Sequence, residues 1–390
     1  MTTGLKAVIN REFERIKSET IYIWLLFILP LFTFLLFTTM FSRGKADSYP
    51  VAIYDADNSP LSRQIVSWIE ATPEVKFTKK VTSLQEGKHL IEKGDVIGVL
   101  KIPDGLENAV YSGNPKKMVL FYSNMNLSAG SGVSVAIIKT IKTMSAGVNM
   151  QKRMSKNKEM LDQALNNIQP VRIEAHALYN PYINYSYYLV TGLLPVMLLM
   201  FILSTTIYVI GSELKYKTAG DWYKISSKSV IVALTGKLLP YSIVFIIEAF
   251  FMNTILFKIV GAPQNGNFFI IFIATIFFVY AYMAMGVVLI TVLPNIRLAL
   301  SIGAAYASLA FSFAGLTFPM IAMVDYMRAF AQIFPYTHYL KIYINEAMKG
   351  LDLYYSVSSF LILSIFITLP FLLIPRMRAL LTKDKYWGKS

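Results

Sequence analysis

Cysteine is absent from all 390 residues, which removes disulfide frameworks, thiolate chemistry and Cys-based metal sites together. Histidine is scarce: His89, His176 and His338 are the only three, and no two stand at metal-ligand spacing. No G-x-S-x-G elbow is present. The phosphate cradle G-x-x-x-x-G-K-S/T is missing too. The only Gly-Lys-Ser is Gly388-Lys389-Ser390, with Lys383 where the first Gly of a cradle would stand. No catalytic constellation, metal site or cofactor site can be assembled from this sequence, and the chain is expected not to hydrolyse ATP by that machinery. Charge is also short, at 15% of residues against about 25% in soluble domains.

What fills the gap is apolar. Hydrophobic residues make up 55% of the chain, with 26 Phe, 24 Tyr and 18 Met. Six runs are long enough to cross a bilayer, which takes about 20 mainly apolar residues. They are Ile21 to Phe41, Tyr187 to Ile210, Val230 to Phe257, Phe268 to Leu293, Leu298 to Met320 and Tyr354 to Ile374. The first is too long for a typical signal-peptide core, and Phe41-Ser42-Arg43 makes a poor cleavage site, so it reads as an uncleaved anchor. The expected fold class is a mostly α integral membrane protein: six transmembrane helices plus an α/β extracytoplasmic domain.

The net charge of +14 invites a nucleic-acid partner, but its placement argues otherwise. Lys and Arg concentrate in the tail before the first run (Lys6, Arg11, Arg15, Lys17), in 211–229 (Lys215, Lys217, Lys224, Lys228), at Arg297, and in the basic tail 376–390. The opposite flanks carry none in 261–267 and only Arg328, Lys341 and Lys349 in 321–353. Basic residues mark the cytoplasmic side, so both termini are expected inside and no nucleic acid is needed. In 1–20, Leu5, Val8, Ile9, Phe13 and Ile16 form one apolar face. Such a helix suits the headgroup plane, with its basic residues on lipid phosphates.

Residues 42–186 then fall outside the membrane and alone have soluble-domain character. Val51 to Asp55, Val96 to Ile102 and Met118 to Tyr122 read as short buried strands, with helical patterns at Ser62 to Glu70 and around Leu84 to Lys93. Ile137, Ile141, Met144 and Val148 form a helical stripe, and Leu161, Leu165 and Ile168 form a second, out of phase with it. A bent helix or helical hairpin follows, either packed on the domain's own sheet or serving as a partner-binding or substrate-guiding arm.

Three features inside the membrane region stand out. Glu248 is the central charge of a span, which marks either a proton or cation site in a transport path or a hydrogen-bonded carboxyl at a helix contact. The connection 321–350 holds two segments too short to span, which read as a re-entrant pair or as an amphipathic pair on the outer surface. Tyr336, Thr337, His338 and Tyr339 would sit at its turn. The loop 211–229 is a docking candidate, because Trp222 and Tyr223 stand beside charge. Interfacial anchoring is the alternative for the same aromatics.

Several motifs in order carry a resemblance. Val51-Ala-Ile-Tyr-Asp-Ala-Asp-Asn-Ser-Pro60 with Ser62-Arg63, then Ile102-Pro-Asp-Gly-Leu-Glu107 with Gly113, lead to Tyr179-Asn-Pro181 before the second span. Glu213, Thr218 and Gly236-Lys237 follow that span, and Phe318-Pro319, Met323, Pro335-Tyr-Thr-His338-Tyr339 and Gly350 lie between the last two. Together these resemble the membrane subunits (permeases) of bacterial ABC exporters with a large external domain after the first span. Two departures occur: Lys217-Thr218 replaces the family's Gly-Thr, and no Pro stands near Ser227.

The resemblance implies a half-transporter in the bacterial inner membrane. A second permease, identical or homologous, would join it, and separate ABC ATPase subunits would carry the ATP and Mg. A periplasmic adaptor is a further candidate partner, with membrane lipid around the spans. ATPase docking would fall to Glu213, Lys215, Thr218, Asp221, Trp222 and Tyr223. The translocation path or gate would fall to Phe318, Pro319, Tyr336, Thr337, His338, Tyr339 and Glu248. The expected cargo is a hydrophobic or amphipathic compound moved outward. A membrane-anchored envelope sensor or assembly factor would combine the same parts without ATP-driven transport, and a neighbouring gene for a Walker-motif protein separates the two.

Overall fold

Among the described residues, five helices are long and apolar enough to cross a membrane, and a helix pair bent by 41° makes a sixth span if counted as one. The computed structural model describes residues 3–42, 47–112, 116–157, 179–180 and 184–388. The chain divides into two compact units, Met1–Gly44 with Ala177–Ser390, and Lys45–His176. The second stripe expected at Leu161, Leu165 and Ile168 lies outside the described residues.

The first unit begins with α1 (Leu5–Ser18) and α2 (Thr20–Met40). In α2 the turn Trp24–Ile28 is widened to π geometry just ahead of Pro30. A proline ring crowds the carbonyl four residues back and offers no N–H to it, and a wider turn relieves both problems.

The second unit is a four-stranded sheet in the order β2-β1-β3-β4, built from β1 (Tyr49–Asp55), α3 (Pro60–Glu70), β2 (Val75–Lys80), α4 (Leu84–Lys93), β3 (Gly98–Ile102), α5 (Leu106–Ser112), β4 (Val119–Tyr122) and α6 (Leu127–Asn157). β1 runs parallel to both neighbours, and β3 pairs antiparallel with β4. Alternation along β1 sends Val51 and Ile53 to one face, against α3 and α6 residues such as Ile65, Val133 and Ile137. Ala52 faces the other way with Val99, beneath α4. Gly87 of α4 is required there, because a Cβ would stand 2.9 Å from the Val99 side chain. The strand β2 was not expected: Val-Lys-Phe-Thr-Lys-Lys is mostly polar because it is an edge.

The two sequence landmarks of this unit meet in space. Asp57 accepts from the backbone N–H of Leu106 (2.7 Å) and Glu107 (3.2 Å) and from the Ser59 hydroxyl (2.5 Å), so the loop after β1 caps α5. Burial pushes the Asp57 carboxyl up. The Ser59 hydroxyl and the N–H groups of Glu107 and Leu106 outweigh it and hold the pKa below the ordinary aspartate value.

The first unit resumes with α7 (Tyr185–Lys215), α8 (Ala219–Ile225), α9 (Val230–Ile259), α10 (Phe268–Val292) and α11 (Ile296–Phe313). Asn184, Ser229, Asn267 and Asn295 each cap the helix that follows them. Then come α12 (Asp325–Ala331), α13 (Pro335–Tyr343), α14 (Val357–Leu372) and α15 (Ile374–Thr382). Three boundaries correct the sequence reading. α7 runs past Ile210 to Lys215, taking the start of the expected loop into the helix. α11 ends at Phe313 rather than Met320, because Gly315 turns to φ +94°. The last span is α14, broken from α15 at Leu373, just before Pro375.

Candidate functional site

The end of α7 is where the chain gathers its buried charge. Glu213 is fully buried in the last turn of α7, and two arginines of α1 converge on it. Arg11 binds it in bidentate fashion (2.8 and 2.9 Å), and Arg15 pairs with the same carboxylate while donating to Ser212 Oγ (3.1 Å). From α9, the Lys237 ammonium reaches Glu213 Oε1 at 2.8 Å and Glu12 Oε1 at 2.6 Å. The second Glu12 oxygen accepts from Tyr241 at 3.2 Å, and Thr218 donates to Glu213. Three cations therefore share two carboxylates, with hydrogen bonds from neutral groups filling the remaining lone pairs, the condition under which buried ions are tolerated. Burial alone would lower the Arg15 pKa, yet Glu213 chiefly, with Tyr22, Glu12 and Glu19, holds it above the ordinary arginine value.

Gly236 makes the assembly fit. A Cβ there would lie 2.8 Å from Val8 Cβ, so only glycine lets α1 lie this close to α9. Gly236-Lys237 is thus one device, a close approach followed by a cation. α1 is consequently no free amphipathic helix. The expectation that its basic residues serve lipid phosphates is corrected for Arg11 and Arg15, which turn inward, and Val8 and Glu12 are buried.

The connection after α7 is braced by the same cluster. Trp222 of α8 is fully buried, donates from Nε1 to Ala233 O at 3.3 Å, and has the Lys237 ammonium 4.6 Å from its ring. Tyr223 is 8% exposed. The expectation of exposed aromatics is therefore wrong for both: a short amphipathic helix buries its rings when a core lies beneath it. Of the docking candidates, Glu213, Trp222 and Tyr223 brace the loop from inside. Thr218 and Lys215 are half-buried. Asp221 is exposed, paired with Lys224 at 3.2 Å. The open surface also holds Tyr216 and Lys217, which are not among those docking candidates.

The missing proline acquires a reason, whereas Lys217 stands where glycine would be favoured. Lys217 adopts φ +61° and Ser227 φ +56°. The first is the left-handed conformation glycine prefers, and the second is closed to proline. Both described ends of the chain join this connection: Gly4 N–H donates to Ile225 O (2.7 Å) and Gly388 N–H to Leu214 O (2.9 Å).

The second set of candidates does not form one cluster. Tyr336, Thr337, His338 and Tyr339 are buried in the first turns of α13, not at an open turn between helices. Tyr336 donates to Gly192 O of α7 at 2.9 Å, Thr337 to Ala331 O at 2.7 Å, and His338 Nε2 lies 3.0 Å from Gln332 O. These bonds fasten α13 to its neighbours. Phe318 and Pro319 are exposed in the connection after α11. Glu248 is 5% exposed in α9, and neither carboxylate oxygen has a hydrogen-bond partner among the described residues.

Glu12, Ser212 and Tyr241 were missed as site residues. The available signal was Lys237, a lysine seven residues into an apolar span, which demands an anion. The described residues hold no group of three or more His, Asp or Glu arranged to take a metal ion.

No curated protein matches the chain. The sequence profile of the ABC-2 family transporter proteins matches residues 20–374, from the first span through the last. The chain is thus a multi-pass transport permease, and it belongs to the ABC-2 transporter family, whose permeases work with an ABC ATPase subunit.

Proposed function

We propose that this chain is one half of an exporter in the bacterial inner membrane, driven by ATP bound on separate ABC ATPase subunits. The observation that carries the reading is the charge cluster under α8. A load applied to α8 meets Trp222, Lys237 and Glu213 at once, and through them α9, α7 and α1. Charge-assisted bonds in a buried site are strong and directional, so the lever has little slack. ATP would then act as differential affinity for two arrangements of the spans. The junction of both described ends with the α7–α9 connection supports termini on one side, and the basic residues there favour the cytoplasm. Residues 45–176 would then stand outside, available to a periplasmic adaptor.

A second permease is supported by α11, whose Ser301, Ala304, Ala305, Ser308 and Ser312 are exposed. Small residues four apart allow close helix packing in lipid. Between Val190 and Leu214, α7 leaves only Leu193, Met197, Met200, Phe201, Ser204 and Tyr208 incompletely buried, at helical spacing. α7 packs on α11. Two copies meeting here would enclose a path of thioethers and rings, adaptable surfaces suited to a hydrophobic or amphipathic cargo.

The test is purification of the full chain from its native membrane with identification of co-eluting polypeptides by mass. An ABC ATPase and a second permease are expected. Tyr216→Ala with Asp221→Lys, both at exposed positions, should cut ATPase recovery at least tenfold (on the order of 1.4 kcal/mol or more) without moving the thermal midpoint. Unchanged recovery, or ATP hydrolysis by the isolated chain, overturns the reading.

A further inference from the structure

A cleft of about 340 Å³ opens between α9, α10 and the bent pair α14–α15. Its walls are apolar, with Ile231 and Leu238 of α9, Met283 and Val287 of α10, and Ile367 and Phe371 of α14. It shares no residue with the open faces of α7 and α11, so the transport path proposed above does not use it.

Two observations identify the occupant. The walls belong to helices that are long and apolar enough to span a membrane, so the medium around the cleft is hydrocarbon. A concave apolar site of this size takes a chain of that medium. Basic residues adjoin the first and last lining residues along the chain: Lys228 lies three residues before Ile231, and Arg376 and Arg378 follow Ile374 by two and four. All three are exposed. Arg376 is anchored where α10 ends, donating to Thr291 O and Val292 O at 2.8 Å each. Among the described residues, no acidic one lines the cleft. An apolar slot with cations at its rim is complementary to a lipid that has an acyl chain and a negative headgroup.

We propose that this cleft binds an acyl chain of an anionic phospholipid, with the phosphate held by Lys228, Arg376 and Arg378. Such a lipid braces the break between α14 and α15, which the protein otherwise leaves open to the bilayer. Its assignment to the inner leaflet rests on the topology proposed above. The binding itself does not.

The full chain in detergent, titrated with phosphatidylglycerol or phosphatidylethanolamine and weighed intact by native mass spectrometry, tests this. One phosphatidylglycerol should be retained in preference to phosphatidylethanolamine and should raise the thermal midpoint. Thr235→Phe, an exposed wall position where a ring fills the cleft, should abolish both effects. Lys228→Gln with Arg378→Gln should lower the preference roughly tenfold or more. Equal retention of the two lipids, or full phosphatidylglycerol retention by Thr235→Phe, overturns the proposal. So does dissociation of a dimer by Thr235→Phe, which would make the cleft a contact between copies. Loss of export with lipid retention intact would make it a cargo site instead, and ATPase co-purification reports separately on the exporter reading.

Discussion

Lys237→Met isolates the cluster's central contact. Lys237 has no exposed surface and holds both carboxylates closely, at 2.6 Å from Glu12 and 2.8 Å from Glu213. Without it, Glu213 keeps Arg11 and Arg15 at close range, but Glu12 is left with the Tyr241 hydroxyl and the looser guanidinium groups of Arg11 at 3.5 Å and Arg15 at 4.0 Å. Removing one partner of a buried pair costs about 3–5 kcal/mol, because the other charge stays desolvated. At about 1.2 °C per kcal/mol for a chain of this size, the thermal midpoint should fall by roughly 4–6 °C. Adding Glu12→Gln neutralises the orphan, so the double variant should recover part of that loss, up to a coupling of about 2 kcal/mol. Transport should stay impaired in the double variant, since the tie between α1 and α9 is gone. The reasoning is refuted if Lys237→Met leaves the midpoint within a degree of the parent, or if the two substitutions simply add.

Glu248→Leu should raise stability by about 1–3 kcal/mol, the cost of an unsatisfied buried polar group, while lowering transport. A fall in the midpoint would mean that the carboxyl has a partner. Asp57→Asn should weaken the cap on α5, read as faster hydrogen exchange of 104–112 in the full chain at neutral pH. Because the folded pKa of Asp57 is depressed, its contribution is complete above about pH 4 and fades as pH falls through the lower folded value. The difference between parent and variant should therefore shrink below pH 4, and a difference that grew with acid would contradict the cap.

The spans were legible because length and hydrophobicity suffice to mark them. Their ends were not, because Gly315, Leu373 and the extension to Lys215 depend on local backbone geometry and packing. The strands β1, β3 and β4 stood out as apolar runs, whereas β2 hid as a mostly polar edge. Lys237 called for an anion, but the pairing within the charge cluster was illegible for a different reason. Its members are 225 residues apart for Glu12 and Lys237 and 24 apart for Glu213 and Lys237, and no local pattern joins them. Trp222 misled because a residue flanked by charge in sequence has its charged neighbours on other faces of the helix.

That last error bears on mechanism. α8 has only seven residues and no side-chain cap, and a helix so short does not form on its own. It exists because Trp222 is seated over Lys237 and Thr218 donates to Glu213. The folded state of α8 and the alignment of α1, α7 and α9 are therefore one equilibrium. If the spans shift enough to part Glu213 from Lys237, α8 loses its seat, and a partner that grips α8 must oppose that shift by the same free energy. Coupling of this kind is reciprocal. If the partner that grips α8 is the ATPase, as proposed above, cargo or lipid that moves the spans alters that affinity by the factor through which the ATPase biases the spans.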